Sequence, residues 1–306
     1  MIERRLLQPT GLSPFFCQWE LTCRCNLKCV MCYTDCFNTP EKIRQELSTG
    51  EILGIMDELK EAGCAEICMT GGEPMARPDF FRIYEHAKKS GFLVTVFTNG
   101  TLLSEEAANR FADLPPSRVE ISLHSLKPER FDEITQHKGA FAQLMQGLER
   151  LKARRIPLVL KTVALTLNVD EILEIKNFVE GLGAKFLLST DIFPDLARGL
   201  DVKRFEISEE AWRELVGSHP QLEQDAEALA CQSPACAGGG LQCHIDAYGQ
   251  LQLCSGNRRK GYDLRRGSFR EGFYEFLPAF PCPRRPGFEK SEAEALGSCW
   301  ENEAKG

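Results

Sequence analysis

Three cysteines carry the first chemical signal: Cys25-x3-Cys29-x2-Cys32, within the run Glu20-Leu21-Thr22-Cys23-Arg24-Cys25-Asn26-Leu27-Lys28-Cys29. A closed structural metal site takes four ligands, so three thiolates this close together point to a centre with one position left open. An iron–sulfur cube held by three cysteines has one iron free to bind something else. Open coordination is where chemistry happens. A zinc site completed by a distant fourth ligand is the competing reading of the triplet.

The chain holds 14 cysteines, with none between Cys68 and Cys231, so they gather at the two ends and suggest two separate metal sites. The second group runs Cys236-Ala237-Gly238-Gly239, Cys243, Gly249-x4-Cys254, then Cys282 and Cys299. Zinc can also take four thiolates, and buried structural cysteines are a further alternative. A separate polar stretch, Gly71-Gly72-Glu73-Pro74, reads as a turn when taken alone.

These residues must be positioned by the elements around them. Phe15 to Leu21 reads as a strand leading into the cysteine loop, and Ala65 to Thr70 as a second that ends at Gly71. Ser48 with Glu51 forms a capping-box pattern, and Ile52, Ile55, Met56 and Leu59 share one helical face. Further strands are expected over 92–98, 118–123, 158–165 and 185–189, and helices over 79–90, from Ser104, over 127–154 with a break near Gly139, and over 170–181. Six strand–helix alternations argue for an α/β fold with a parallel sheet, open or closed into a barrel. The cysteine loop, the Gly71–Pro74 stretch, Thr98-Asn99, Ser122 to Ser125, and Asn168 all follow strands, and ligands bind at that carboxyl edge.

Composition excludes some function classes. Of 306 residues, 43% are apolar and 26% charged, ordinary for a globular protein, and the net charge of −7 gives no pull toward nucleic acid. The basic residues Arg258, Arg259, Lys260, Arg265, Arg266 and Arg270 read as a solvated loop or as a dock for an acidic peptide. No apolar run is long enough to span a membrane, and Met1 to Leu7 has no signal-peptide character. The expected location is cytoplasmic, where thiols serve as metal ligands rather than disulfides.

The cysteine triplet followed by Tyr33, together with Gly71-Gly72-Glu73-Pro74 after the second strand, resembles the radical S-adenosylmethionine (SAM) enzymes over roughly residues 14–190. The resemblance implies a partial (β/α)6 TIM-like barrel with a small C-terminal cysteine-rich extension. It implies that Cys25, Cys29 and Cys32 hold a [4Fe-4S] cluster whose open iron is chelated by SAM. Reductive cleavage of SAM then gives a 5′-deoxyadenosyl radical, with the protein binding, aligning and excluding water. Gly71 and Gly72 would permit close backbone approach, Glu73 would accept from the SAM ammonium, and Pro74 would stiffen the loop. Thr98 and Asn99 fall where adenine or ribose contacts are expected, Ser122 where a ribose ligand is, and Asn168 follows the next strand; each also reads as a turn or cap residue. His124 is a candidate to face substrate.

The stretch from Cys236 to Cys254 resembles the start of a SPASM or Twitch extension. The cysteine inventory fits a single auxiliary [4Fe-4S] cluster, with Cys236, Cys243, Cys254, Cys282 and Cys299 competing for four positions. Among the other thiols, Cys36 and Cys68 are candidate hydrogen-atom donors. The expected divisions are an N-terminal extension (1–14), the barrel (15–205), a helical linker (206–235) and the auxiliary domain (236–306). The resemblance favours a peptide or protein substrate modified by cross-linking, epimerisation or oxidation. The alternatives are a small-molecule dehydrogenase or cofactor-pathway enzyme, and a non-catalytic metal-binding scaffold. A reduced flavodoxin or ferredoxin would supply electrons. With about 14 residues before the first strand, a peptide substrate would be recognised by the barrel mouth or by a separate partner.

Overall fold

The computed structural model describes residues 12–34, 38–193, 201–227, 240–256, 258 and 260–280. The order begins β1 (Phe16–Glu20), α1 (Pro40–Gln45), α2 (Thr49–Glu61), β2 (Glu66–Thr70), α3 (Phe80–Lys89), β3 (Leu93–Thr98), α4 (Glu105–Asp113) and β4 (Arg118–Ser122). It continues α5 (Pro128–Thr135), α6 (Ala140–Ala153), β5 (Leu158–Val163), α7 (Ile172–Gly181) and β6 (Lys185–Ser189). After these come α8 (Glu209–Ser218), α9 (Gln221–Glu227), β7 (Gln242–Ile245), β8 (Gln250–Gln252), β9 (Tyr262–Asp263) and α10 (Phe269–Glu271).

Local chemistry sets the element ends. Ser48 and Glu51 close the full capping box on α2, whose buried face is Ile52, Ile55, Met56 and Leu59. The long helical pattern over 127–154 divides where Gln136 and Gly139 both take left-handed backbone, ending α5 and opening α6.

The strands lie in the order β6-β5-β4-β3-β2-β1-β7-β8-β9, parallel from β6 through β7, with β8 and β9 antiparallel. From β1 to β6 every crossover steps the same way. Right-handed crossovers in one direction put all the helices on one face, which leaves the other face concave. This is a partial TIM-like barrel. The helix-facing side carries Cys17, Trp19, Ile67, Met69, Val94, Val96, Val119, Ile121, Phe186 and Leu188, all in one buried cluster with the helices. The alternate residues on the concave side include Glu20, Glu66, Cys68, Arg118, Glu120 and Lys161. A one-residue register slip would drive those charges into the apolar layer, so the pattern fixes the pairing.

The segment beyond residue 236 continues this sheet: β7 pairs with β1, Cys17 opposite Cys243 and Gln18 opposite His244. Helices α8 and α9 also pack on the barrel, with Leu222 fully buried and Lys176 Nζ 2.8 Å from Asp225 Oδ2. No helix among the described residues is long and apolar enough to cross a membrane.

Candidate functional site

The carboxyl ends of β1, β2 and β3 bring the two sequence motifs into contact. Gly72 N donates to Thr22 O at 2.9 Å, and Glu73 N to Arg24 O at 2.7 Å. A Cβ on Gly71 would lie 2.4 Å from Thr22 O, and one on Gly72 2.5 Å from Arg24 O. The close approach that these glycines permit is therefore that of the cysteine loop itself. Glu46 Oε1 accepts from Thr22 Oγ1 at 2.7 Å and Cys23 N at 2.8 Å, and Arg77 Nη1 donates to Leu21 O at 2.9 Å. These bonds pin the loop before its first ligand candidate.

Cys25, Cys29 and Cys32 are half-buried on this loop and in no disulfide. Leu27 N donates to Cys25 Sγ at 3.4 Å, and Cys32 Sγ lies 3.2 Å from Thr34 Oγ1. A backbone N–H turned toward a ligand sulfur, as Leu27 N is toward Cys25, is a means of setting the potential of an iron–sulfur cluster, so the loop fits one. Among the described residues no three Cys, His, Asp or Glu side chains are gathered closely enough for a single metal ion, the arrangement a mononuclear zinc site requires.

Glu73 differs from the expectation that it faces outward to an ammonium. Its carboxylate is fully buried and accepts from Thr98 Oγ1 (2.8 Å), Asn99 N (2.7 Å) and Met75 N (3.1 Å). Burial raises its pKa to about 7, which those three bonds only partly offset. It straps the loop after β2 to the end of β3. Pro74, also buried, opens the short helical turn Pro74–Ala76 that follows. Thr98 is buried and committed to Glu73, whereas the half-buried Asn99 turns its side chain toward Asn26.

Ser122 ends β4, half-buried and in register with Lys161. Asn168 departs from a ligand role. It is fully buried, accepting from Leu165 N at 2.7 Å and donating to His124 O at 2.7 Å and Val163 O at 3.0 Å. A side-chain amide fully used by backbone is a turn strap. His124 is buried too, its Nδ1 accepting from Val163 N at 3.3 Å, and desolvation lowers its pKa to about 4, so it is neutral. Asn168 thus spends its whole side chain on main chain, whereas His124 is fixed through Nδ1 alone.

Cys68 lies on the concave side of β2 but is fully buried, and burial pushes its thiol well up, so it stays protonated. Cys243 sits on the helix-facing side of β7 within the apolar cluster, opposite Cys17. Cys254 is half-buried just after β8. Cys36, Cys236, Cys282 and Cys299 lie outside the described residues.

One cluster had no sequence signal. Arg258 donates to both Glu20 oxygens, at 2.9 and 2.5 Å, and its Nε to Ser255 O at 2.8 Å. Its guanidinium lies 5.4 Å from the Tyr33 ring centre, and His244 Nε2 is 3.8 Å from Glu20 Oε2. Burial pushes the Glu20 carboxyl up, but His244 and Arg258 overcome it and hold the pKa at about 2. The partners are 238 positions apart, and Arg258 stood in a run legible only as basic. Arg265 is likewise committed, to Glu51 Oε1 at 2.9 Å and to two backbone carbonyls. Arg258 and Arg265 are therefore structural members of the run, whereas Lys260, Arg266 and Arg270 are exposed. Deeper on the concave side, Glu120 accepts from Arg118 at 2.6 Å and Lys161 at 2.8 Å, and Lys161 Nζ lies 3.3 Å from the Phe97 ring centre.

The signature of the radical SAM superfamily matches residues 19–222. The mycofactocin maturase MftC of Mycobacterium tuberculosis is 30% identical over 257 residues, covering 79% of this chain and 64% of its own. An AdoMet-dependent heme synthase of Methanosarcina barkeri is 32% identical over 172 residues, covering 56% of this chain and 49% of its own. The chain thus spans less than two thirds of the length of either relative. Among solved structures, Streptococcus suis SuiB bound to S-adenosylmethionine aligns with a TM-score of 0.67 at 12% identity, over 87% of this chain and 67% of SuiB. Native anSMEcpe with bound AdoMet and Cp18Cys peptide aligns with a TM-score of 0.64 at 16% identity, over 85% of this chain and 80% of that one. These two likenesses bear on the fold.

Proposed function

The chain belongs to the radical SAM superfamily, and we propose that within it the protein modifies a peptide or protein side chain or α-carbon. The observation that carries this reading is the docking of the cysteine loop onto Gly71-Gly72-Glu73 at the mouth of a concave, polar sheet face. Family members use a [4Fe-4S] cluster and SAM, which when bound supply a low-potential electron and a 5′-deoxyadenosyl radical that abstracts hydrogen. Cys25, Cys29 and Cys32 would hold the cluster. The Gly71–Pro74 loop, fixed by the buried Glu73, would present backbone to the SAM amino group, and Ser122 would reach the ribose. The concave face, with Lys161, Glu120 and the Glu20–Arg258 pair, offers charged and hydrogen-bonding groups suited to a polar substrate such as a peptide.

The likeness to MftC, a maturase by name, supports the peptide reading because it reaches beyond the barrel. With Cys243 in the core, four cysteines remain for a Twitch-like auxiliary cluster: Cys236, Cys254, Cys282 and Cys299. Four is the number a closed cubane takes. A reduced flavodoxin or ferredoxin would deliver the electron. A second reading, oxidation of a small molecule such as a tetrapyrrole, is favoured by the 32% identity to the heme synthase.

Anaerobic incubation with candidate peptides, SAM and dithionite tests the proposal. A peptide product with a mass change, formed alongside 5′-deoxyadenosine, supports it. Turnover of a tetrapyrrole with no change in any peptide would favour the second reading.

A further inference from the structure

Asn99 stands in a closed ring of side chains that spans the two loops beside Cys25. Asn26 Nδ2 donates to Thr101 Oγ1 at 2.7 Å, Thr101 Oγ1 donates to Asn99 Oδ1 at 2.6 Å, and Asn99 Nδ2 returns to Asn26 Oδ1 at 3.0 Å. The orientation of the Asn99 amide follows from its partners. Thr101 N, which can only donate, lies 2.9 Å from one amide atom, so that atom is oxygen and the other is nitrogen. That nitrogen is also 3.9 Å from Cys25 Sγ. The main-chain N of Asn99 is meanwhile fixed by the buried Glu73 carboxylate at 2.7 Å. Both ends of the residue are thus held, and the amide donor is aimed at a ligand sulfur.

We propose that Asn99 is a positioning residue for the cluster rather than an adenine contact: with Asn26 and Thr101, it orients an N–H donor on Cys25 sulfur and so raises the reduction potential of the N-terminal cluster. The inference rests on the family reading above. Adding an electron increases negative charge on the ligand sulfurs, and a donor at sulfur favours that state. Partners that orient a metal ligand are a recognised means of tuning a centre. Leu27 N, at 3.4 Å, is a second donor to the same sulfur, so Cys25 is served from both its own loop and the end of β3.

The test uses the full-length protein reconstituted anaerobically with iron and sulfide, without SAM. Redox titration would follow the reduced-cluster electron paramagnetic resonance signal that is absent from a Cys25→Ala/Cys29→Ala/Cys32→Ala variant. In Asn99→Asp, the donor becomes a carboxylate facing sulfur. The expected result is full iron content and a potential shifted negative, by up to tenfold in the one-electron reduction equilibrium, or ~59 mV. Thr101→Val, which keeps Asn99 but opens the ring, shifts it the same way by less. An unchanged or raised potential in Asn99→Asp overturns the proposal, as does loss of iron in both variants, which would make the ring a fold element. A residue contacting only adenine would leave this SAM-free potential unmoved. Failure of the wild type to take up iron at all would refute the family reading instead.

Discussion

Two buried groups make opposite contributions to stability over the same pH range, and replacing one exposes the other. Glu73 has its carboxyl raised from 4.5 to about 7 by burial, against the bonds from Asn99 N, Thr98 and Met75 N. The folded state therefore binds a proton that the unfolded chain releases, and stability falls as pH rises from about 4.5 to 7. A difference of that size is worth about 3 kcal/mol. His124 has its pKa lowered by burial from 6.5 to about 4. There the unfolded chain takes up the proton first, so stability rises across pH 4 to 6.5, by a similar amount. The two contributions nearly cancel in the wild type. Glu73→Gln removes the first, with a fixed penalty of about 1–3 kcal/mol because one amide hydrogen must face a main-chain donor. Urea denaturation of both proteins from pH 4.5 to 7.5 reads the difference. The Gln variant should be comparatively more stable at the upper end of the range by about 3 kcal/mol than at the lower. A difference independent of pH would refute the assignment of a buried, proton-binding Glu73.

Other substitutions probe the remaining contacts. Gly71→Ala places a methyl 2.4 Å from Thr22 O, so the two loops cannot dock, and iron content after reconstitution should fall toward that of the triple-cysteine variant. Arg258→Ala strands the buried Glu20 carboxylate and should cost about 3–5 kcal/mol in urea denaturation, whereas the double variant Glu20→Gln/Arg258→Met should cost less. Cys243→Ala should leave total iron unchanged, because that thiol packs in the core, while Cys254→Ala should lower it. Equal loss from both would restore Cys243 to the ligand set.

The fold was legible because its signals are local and periodic. The strand that precedes each polar motif, the Ser48–Glu51 cap and the break before Gly139 are each written in a few adjacent residues. The triad and the Gly-Gly-Glu-Pro loop were legible for the same reason, being compact motifs at strand ends. Side-chain direction was not. Glu73 and Asn168 look like ligands by position, yet each is turned inward onto main chain, and nothing in a short motif distinguishes an inward carboxylate from an outward one. Cys243 has auxiliary-cluster spacing but lies on the helix-facing side of a strand, a fact set by its register with β1. The Glu20–Arg258 pair spans the whole chain, and only the addition of β7 beside β1 brings its members together.

If the N-terminal triad holds a cluster that cleaves SAM, loss of its three thiols must remove both iron and product. The most direct test is anaerobic reconstitution of the wild type and the Cys25→Ala/Cys29→Ala/Cys32→Ala variant, with iron counted and 5′-deoxyadenosine measured after dithionite and SAM are added. The variant should lose about four irons and form no 5′-deoxyadenosine, while the wild type forms it. Equal iron and equal product from both proteins would contradict that role of the triad.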